Sequence, residues 1–311
     1  MERRGRRALG CPALTSLTLS PRLAETHRLM SRGAVRLLVR RDWEAALPLE
    51  AMLDGAPLAE WGRPVAHALA GRGPVEVLAT PRGEIVGKAL RRGGLAGGLL
   101  RDTFFDARRP LREAEAAELL AARGIRTPPV VAARVTRRAA GLRVESATAR
   151  VPGVDLLEAC RDARSLPALA TAAGRTLRAA HDAGLRHRDL QVKNLLVPAG
   201  FPGPGGAADP GPLVVLDLDR CSVAAPLELD ERRRALVRFG RSLVKRGLLP
   251  RLGPVSEAGA AALRASRPFV RGYCATWASQ PEFLDRLAIG VRAQVSRHGW
   301  RWAEKPSGRV I

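Results

Sequence analysis

The chain has 311 residues, of which 46% are hydrophobic, so it is long enough to bury a sizeable core in one folded unit of about 200 to 250 residues. Its 52 lysine and arginine residues exceed its 30 acidic residues, and the net charge of +22 predicts an anionic partner. Only 4% of the residues are aromatic and no recognition motif is visible, which argues against nucleic acid as that partner.

The first thirty residues are rich in arginine and are interrupted by Pro12 and Pro21. No apolar region precedes Cys11, which argues against a lipoprotein signal. We interpret this segment as a disordered extension, or as the product of an upstream start codon with Met30 as the true start.

Hydropathy and cysteine spacing exclude two further classes of protein. No apolar run approaches the ~20 residues needed to span a bilayer. The four cysteines show no paired spacing, which excludes a zinc ribbon and is typical of reduced cytosolic thiols.

Two strand-like segments, 75–79 and 84–90, flank a turn at residues 80–83. The second segment contains Lys88 within an apolar run. This lysine stands out because the 52 basic residues include only four lysines, at positions 88, 193, 245 and 305.

A short glycine pair, Gly71 and Gly73, precedes the first of these strands. Two interpretations stay open for it. It is either a shortened loop that covers phosphate groups or an ordinary turn, because two glycines occur easily by chance in a glycine-rich chain.

Residues 111–123 are rich in Ala, Leu and Glu and are followed by Gly124, which predicts a helix with a conventional C-terminal signal. The acids of this helix are Glu113, Glu115 and Glu118. Each could lie on a solvated face, and the residues alone do not select one of them.

A second helix is predicted over residues 165–183, with Gly184 as its cap. It leads into His187-Arg188-Asp189-Leu190-Gln191-Val192-Lys193-Asn194, and an apolar run then ends in Asp217 and Asp219. These residues reproduce the H-R-D-L-x-x-x-N loop and the following metal-binding Asp of a protein-kinase-like phosphotransferase.

The spacing assigns a separate chemical task to each polar residue of this region. In a kinase, Asp189 would accept the proton of the substrate hydroxyl, while Asn194 and Asp217 would hold Mg²⁺ against the nucleotide phosphates. Predicted strands at 195–197 and 213–218, joined by an exposed tip, would form a hairpin that brings Asn194 beside Asp217. The alternative is a charged surface turn followed by an unrelated buried strand.

A kinase also needs a lysine that binds the α and β phosphates of ATP and a glutamate that holds this lysine in place. Lys88 is the candidate for the first role. The glutamate is expected on the helix over 111–123.

Residues 228–249 predict a helix that concentrates basic residues beside apolar positions at helical spacing. Its basic residues are Arg232, Arg233, Arg234, Arg238, Arg241, Lys245 and Arg246. The helix either packs on the core with a solvated basic face or, in addition, attracts an anionic membrane surface or lipid phosphates.

The chain resembles the lipopolysaccharide kinases, and within them the 3-deoxy-D-manno-octulosonic acid (Kdo) kinases, from about residue 71 to residue 249. The segments that carry the resemblance are Gly71-Arg-Gly73, Lys88-Ala-Leu-Arg-Arg-Gly-Gly-Leu95, Arg112-Glu113, Gly124-Ile-Arg-Thr-Pro128, Ala149-Arg-Val-Pro-Gly153, His181-Asp-Ala-Gly-Leu-Arg-His-Arg-Asp189, Leu216-Asp-Leu-Asp-Arg220 and Leu236-Val-Arg-Phe-Gly-Arg-Ser-Leu-Val-Lys245. General protein kinases lack the Arg-Arg-Gly-Gly segment, the Asp-x-Asp-Arg ending and the arginine-rich helix.

The resemblance implies ATP- and Mg²⁺-dependent phosphorylation of a sugar hydroxyl, on Kdo or heptose, in the lipopolysaccharide inner core at the cytoplasmic face of the inner membrane. It also implies that Glu113 is the partner of Lys88 and that Gly71 and Gly73 contact the nucleotide. The acceptor would be a lipid-linked saccharide.

The expected fold class is α+β, protein-kinase-like and two-lobed, with a small antiparallel sheet lobe before a mainly helical lobe. The expected divisions are an extension over 1–30, an N-terminal lobe over 31–148, a catalytic lobe over 149–295 and a tail over 296–311. The lobes are expected to join near residues 145–153.

One departure from the family pattern affects the acceptor. Members resembling Kdo kinases usually read His-x-Asp-Leu-Asn, whereas Gln191 follows Asp189-Leu190 here and Arg188 matches ordinary protein kinases. Two alternatives therefore stay open: a related phosphotransferase acting on a small alcohol, a glycan or a protein, and a non-catalytic kinase fold that serves as a scaffold.

Overall fold

The computed structural model describes residues 17–65, 75–91, 102–203, 205–206, 209–248, 267–274 and 280–298. The chain divides into two compact units. The first contains the described residues up to Glu118 together with Pro128–Arg150, and the second contains Leu119–Thr127 and the described residues from Val151 onward.

The regular elements of the described residues are numbered in chain order. The helices are α1 (Pro21–Thr26), α2 (Leu49–Leu53), α3 (Arg109–Ala122), α4 (Leu156–Ala159), α5 (Leu166–Asp182), α6 (Leu229–Lys245), α7 (Arg267–Cys274) and α8 (Gln280–His298). The strands are β1 (His27–Arg32), β2 (Val35–Arg40), β3 (Arg63–Pro64), β4 (Val75–Thr80), β5 (Gly83–Ala89), β6 (Val130–Arg138), β7 (Gly141–Ala149), β8 (Gly153–Asp155), β9 (Leu185–Arg186), β10 (Leu195–Pro198), β11 (Val214–Val215) and β12 (Ser222–Val223).

The described part of the first unit is built on an antiparallel sheet with the strand order β1-β2-β6-β7-β5-β4-β3. Strand β5 is paired on both sides, so that Lys88 lies opposite Val75 of β4 and Ser146 of β7. A backbone bonded on both sides holds the Cα of Lys88 in a fixed place.

Helix α3 packs against this sheet through one apolar face. Leu111 and Ala114 are buried in a cluster with Leu38 of β2 and with Val130 and Ala133 of β6. Residues three positions apart lie on the same face of a helix, so this packing fixes the rotation of α3 about its axis.

The second unit is mainly helical in its described part. Helices α5 and α7 approach closely at two glycines: a Cβ on Gly174 would lie 2.2 Å from the carbonyl oxygen of Phe269, and a Cβ on Gly272 would lie 2.3 Å from that of Thr171. Helix α6 packs on α8 through four valines, Val237, Val244, Val291 and Val295.

Short strands frame the loops of the second unit. Strand β10 lies between β11 and β8, and β9 pairs with β12, all in antiparallel pairs. An antiparallel sheet in the first unit and helices in the second agree with the expected α+β class. No helix among the described residues is long and apolar enough to cross a membrane.

The prediction of a disordered extension over residues 1–30 is wrong for its second half. Pro21 begins α1, and a first-turn position suits proline because its missing N–H would have no partner there. Leu23 and His27 are buried, and His27 Nε2 is hydrogen bonded to the carbonyl oxygen of Val130 at 2.9 Å. Met30 lies inside β1, so a start at this residue would remove α1 and the first half of that strand.

Other predicted boundaries also differ from the structure. The predicted division at residue 295 falls inside α8, which continues to His298, and residues 1–16 and 299–311 lie outside the described residues. The predicted N-terminal lobe over 31–148 includes Leu119–Thr127, which belongs to the second unit. The chain passes finally into the second unit after Arg150, within the stretch 145–153.

Candidate active site

The first unit brings together Lys88 of β5 and Glu113 of α3. Lys88 Nζ donates to Glu113 Oε1 at 2.9 Å, and the Glu113 side chain is only 3% exposed. A buried carboxylate is costly without a charged partner, so the pair fixes the lysine ammonium group as well as the glutamate.

The two other acids of this helix lie in different surroundings. Glu118 forms an ion pair with Arg40 of β2, and Glu115 is half-buried on α3. The partner implied for Lys88 by the resemblance, Glu113, is thus the one that contacts it. The phosphate-binding function of Lys88 stays a prediction.

The glycine pair predicted to cover the nucleotide lies outside the described residues. Gly71 and Gly73 fall in the gap between residues 65 and 75, and Gly93 and Gly94 of the Arg-Arg-Gly-Gly segment fall in the gap between 91 and 102. Their proposed contacts with nucleotide stay predictions.

The second unit positions Asp189 through the end of α5. Gly184 follows this helix with a φ of 81°, a conformation that favours glycine, and a Cβ there would lie 2.1 Å from the carbonyl oxygen of Ala224. Pairing of β9 with β12 then anchors the backbone just before the His187–Asp189 stretch. The loop is therefore held at its entry by backbone contacts that tolerate only glycine.

His187 ties this loop to the segment that ends in Asp217. Its ring is buried, and Nε2 donates to the carbonyl oxygen of Leu216 at 3.1 Å. Burial lowers the pKa of His187, although the bond to Leu216 acts in the opposite direction. Burial therefore favours the neutral ring, which ties the loop to the segment that ends in Asp217.

Asn194 is oriented by the backbone of Asp189. Its Nδ2 donates to the Asp189 carbonyl oxygen at 2.7 Å, so the amide oxygen Oδ1 keeps its acceptor capacity. The backbone N–H of Leu216 donates to the Asn194 carbonyl oxygen at 2.9 Å, which continues the β10–β11 pairing. The predicted hairpin therefore brings Asn194 next to the residue that precedes Asp217.

The strand before Asp217 is shorter than the sequence predicted. We expected a strand over residues 213–218, but β11 contains only Val214 and Val215. Asp217 has a φ of 57°, a left-handed conformation that cannot continue a strand. Such a conformation costs about 1–2 kcal/mol for a residue with a Cβ and is often found at functional sites.

Asn194 and Asp217 offer the oxygen donors that Mg²⁺ prefers, a carboxylate and an amide oxygen. Among the described residues, no group of three or more His, Cys, Asp or Glu side chains forms a metal centre. Mg²⁺ is commonly bound by one or two protein ligands together with substrate phosphates and water, so these two residues fit such a site.

Three side chains near Asp189 were not predicted as site residues. Gln191 Nε2 donates to Asp189 Oδ1 at 2.5 Å, and the backbone N–H of Val192 donates to Ser242 Oγ of α6 at 2.9 Å. Arg238 lies one turn before Ser242 on the same helix. The signals in the sequence were the departure at Gln191 and the arginine-rich motif that contains Arg238 and Ser242.

The model of the lipopolysaccharide kinase (Kdo/WaaP) family matches residues 59–257. The chain is 30% identical over 191 residues to the 3-deoxy-D-manno-octulosonic acid kinase of Xylella fastidiosa strain 9a5c, covering 60% of this chain and 72% of that protein.

Two further relatives share the same description. The kinase of Vibrio cholerae serotype O1 is 26% identical over 165 residues, which are 51% of this chain and 66% of that protein. The kinase of Photobacterium profundum is 33% identical over 124 residues, which are 37% of this chain and 52% of that protein. The chain thus spans between half and two thirds of these two relatives.

The solved structure of WaaP in complex with acyl carrier protein resembles this chain with a TM-score of 0.51. The match covers 86% of this chain and 100% of the solved chain at 22% sequence identity. At this identity the likeness concerns the fold, and the predicted protein-kinase-like α+β fold is confirmed.

Proposed function

Because the chain belongs to the lipopolysaccharide kinase (Kdo/WaaP) family, we propose that it is an ATP-dependent kinase that phosphorylates a sugar hydroxyl of the lipopolysaccharide inner core, on Kdo or heptose. The observation that carries the proposal is the hydrogen-bonded loop in which Asn194 holds the Asp189 backbone beside the Asp217 segment. This loop contains the groups that phosphoryl transfer to an alcohol requires.

Asp189 acts as the general base in this proposal. Its carboxylate accepts the proton of the acceptor hydroxyl as the oxygen attacks the γ-phosphorus of ATP. The bond from that phosphorus to the β–γ bridging oxygen breaks, and ADP leaves with the electron pair of that bond. The bond from Gln191 occupies one carboxylate oxygen, Oδ1, and so sets the direction of the other toward the acceptor. Gln191 is a positioning residue because it acts through Asp189.

Lys88 binds the α and β phosphates of ATP, and Glu113 keeps its ammonium group in place. Asn194 and Asp217 would hold Mg²⁺, which supplies neutralisation of phosphate charge when bound. The protein's own contribution is orientation. It holds the two reactants in a fixed geometry, so the loss of their translational and rotational entropy is no longer part of the barrier to transfer.

A second acceptor class is favoured by one specific observation. Gln191, the residue that departs from the family pattern, is also the residue that contacts the Asp189 carboxylate. A change at this position alters the acceptor side of the site, so small alcohols, other glycans and proteins belong in any acceptor panel.

The proposed function is tested by incubating the purified protein with ATP, Mg²⁺ and lipid A precursors that carry no Kdo, Kdo, or Kdo with heptose. We expect a mass gain of one phosphate on a precursor that carries Kdo or heptose, at a rate that is ~10²-fold or more lower with Asp189→Asn. A mass gain on a non-saccharide acceptor alone would favour the second class. No transfer to any acceptor would favour a non-catalytic scaffold.

We also propose that the protein works at the cytoplasmic face of the inner membrane as a peripheral protein. The exposed basic residues of α6 and its C-terminus, such as Arg234 and Arg246, support this location because each basic residue close to an anionic surface contributes ~1 kcal/mol of attraction. Binding to vesicles that contain anionic lipid is expected to weaken in Arg234→Gln/Arg246→Gln and as salt rises toward ~0.5 M. Salt-independent binding would contradict an electrostatic attachment.

A further inference from the structure

Helix α6 presents a row of arginines beside residues 187–194, the proposed catalytic loop. Arg234, Arg238 and Arg241 follow one another at spacings of four and three residues, which places them on one face of the helix. Ser242 accepts a hydrogen bond from the backbone N–H of Val192, so this stretch of α6 lies directly against the loop that carries Asp189.

Two neighbouring arginines of α6 form ion pairs within the protein. Arg232 donates to Asp182 at 2.6 Å and Arg233 pairs with Asp230 at 3.3 Å. In the part of the chain that the structure describes, no carboxylate lies within ion-pair distance of Arg238 or Arg241. The two positive charges therefore lack the kind of partner that their neighbours have.

Arg238 is held in an energetically unfavourable environment. Its Nε is buried and makes no hydrogen bond to any described residue. Burial lowers the pKa of Arg238, and the positive charges of Arg241 and Arg234 lower it further, while the charge of Asp189 acts in the opposite direction. A buried donor without a partner destabilises a fold, and an external acceptor would satisfy it.

Resting on the proposed kinase function, we infer that Arg238 and Arg241 bind an oxyanion of the acceptor, a carboxylate or a phosphate, beside the hydroxyl that Asp189 deprotonates. The planar guanidinium groups suit such a group because they donate two parallel hydrogen bonds to it. The two residues would select acidic saccharides over neutral ones.

The position of Arg238 also argues against a bilayer surface as its partner. The side chain is only partly exposed and its Nε is buried, whereas Arg234 on the preceding turn is exposed. A flat lipid surface reaches exposed groups, and a single acceptor molecule that enters the site reaches a recessed one.

The test compares acceptors that differ in charge. The wild-type protein, Arg238→Gln and Arg241→Gln are assayed with a Kdo-bearing lipid A precursor, with the same precursor after methyl esterification of the Kdo carboxylate, and with the precursor after removal of its lipid A phosphates. We expect the KM for the unmodified acceptor to rise about 10-fold or more in each variant, which corresponds to ~1.4 kcal/mol. The KM for ATP should stay within about twofold of the wild-type value.

The modified acceptors identify which oxyanion is bound. If it is the carboxylate, the ester should be a poor wild-type acceptor and should show no further rise in KM in the variants. If it is a phosphate, the dephosphorylated precursor should instead be the poor wild-type acceptor, and its KM should show no further rise in the variants. Equal sensitivity of all three acceptors to the substitutions would overturn the assignment.

Two controls distinguish a loss of acceptor binding from a loss of folding and from a general loss of positive charge. Arg233→Gln removes a charge of the same helix that is already paired with Asp230, and it should leave both KM values unchanged. Thermal unfolding checks that each variant is folded, and Arg241→Gln tests the inference if Arg238→Gln does not fold. Turnover with an unchanged acceptor KM in both variants overturns this inference alone, whereas a wild-type protein that phosphorylates no acceptor overturns the proposed function and the inference with it.

Discussion

Asp189 and Lys88 have different surroundings, and these surroundings separate their contributions to a transfer reaction. Asp189 accepts a hydrogen bond from the uncharged amide of Gln191, which orients the carboxylate and leaves its charge unneutralised. Lys88 is held by the buried carboxylate of Glu113, so its ammonium group is oriented by a charge. The surroundings of Asp189 suit a base that accepts a proton. Those of Lys88 suit a cation that holds an anion in place.

The first prediction separates these functions by substitution. Asp189→Asn should lower kcat by ~10²-fold or more, the range expected for loss of a positioned general base, with ATP affinity close to the wild-type value. Lys88→Ala should weaken ATP binding as well as turnover, because phosphate positioning is lost. Nucleotide binding and kcat are measured separately for each variant.

Asp209→Asn serves as the control for these two variants. Asp209 is an exposed carboxylate that pairs with Arg175, outside the catalytic loop, and its substitution should leave both quantities unchanged. Substantial kinase activity in Asp189→Asn would show that the catalytic loop has been assigned wrongly.

The second prediction concerns Asn194 and Asp217, the proposed Mg²⁺ ligands. Asn194→Ala and Asp217→Asn should each raise the Mg²⁺ concentration needed for half-maximal activity by about 10-fold or more, because a site with few protein ligands loses one of them. Titration of nucleotide binding with and without Mg²⁺ gives a readout that does not depend on turnover. An unchanged metal dependence in both variants would remove these residues from the metal site.

The local elements around the site could be predicted from the sequence because their signals are local. The strand that carries Lys88, helix α3 and the loop from His187 to Asn194 all appear within a few residues of their expected bounds. Apolar periodicity and glycine stop signals depend on neighbours along the chain, so they remain valid in the folded protein.

Contacts between distant segments could not be predicted in this way. Strand β1 begins in the segment that was predicted to be disordered. It is stabilised by pairing with β2 and by the hydrogen bond between His27 and the carbonyl oxygen of Val130, 103 residues away. The early end of β11 depends on the left-handed backbone of Asp217, a conformation that an aspartate rarely adopts. The place of Arg238 and Ser242 beside the catalytic loop depends on the packing of α6, which periodicity alone does not define.

The third prediction tests the contact between α5 and α7. Gly174→Ala should destabilise the second unit by about 1–3 kcal/mol, because the new Cβ would lie 2.2 Å from the carbonyl oxygen of Phe269 and the helices must separate. Urea unfolding measures the change. Gly211→Ala is the matched control, since its Cβ would meet its nearest neighbour at an ordinary 3.6 Å, and equal stability of the two variants would contradict close helix contact.

Buried histidines occur in both compact units, and in the part of the chain that the structure describes burial favours the neutral form of each: His27, His181 and His187. Burial lowers the pKa of His27 in the first unit and of His187 in the second. Burial, reinforced by the positive charge of Arg232, lowers the pKa of His181 to about 3. His181 Nδ1 is hydrogen bonded to the Tyr273 hydroxyl at 2.7 Å, and burial raises the pKa of that hydroxyl, so both groups of this contact stay uncharged.

The fourth prediction is therefore a loss of stability in mild acid. The pKa of each histidine is about 6.5 in the unfolded chain and lower in the folded protein, so below pH 6.5 the unfolded state binds more protons and becomes favoured. The stabilisation is complete above pH 6.5 and decreases toward pH 5, with a slope that approaches ~1.4 kcal/mol per pH unit for His181, whose pKa in the folded protein is about 3. Urea midpoints at pH 7.5, 6 and 5 measure this loss of stability in a range where ordinary carboxylates, with pKa values near 4, stay ionised.

His181→Asn is the control, because it keeps a hydrogen-bonding group for Tyr273 but does not titrate in this range. Its urea midpoint should decline less steeply with falling pH than that of the wild-type protein. A wild-type midpoint that does not change between pH 7.5 and 5 would contradict the neutral state of these rings.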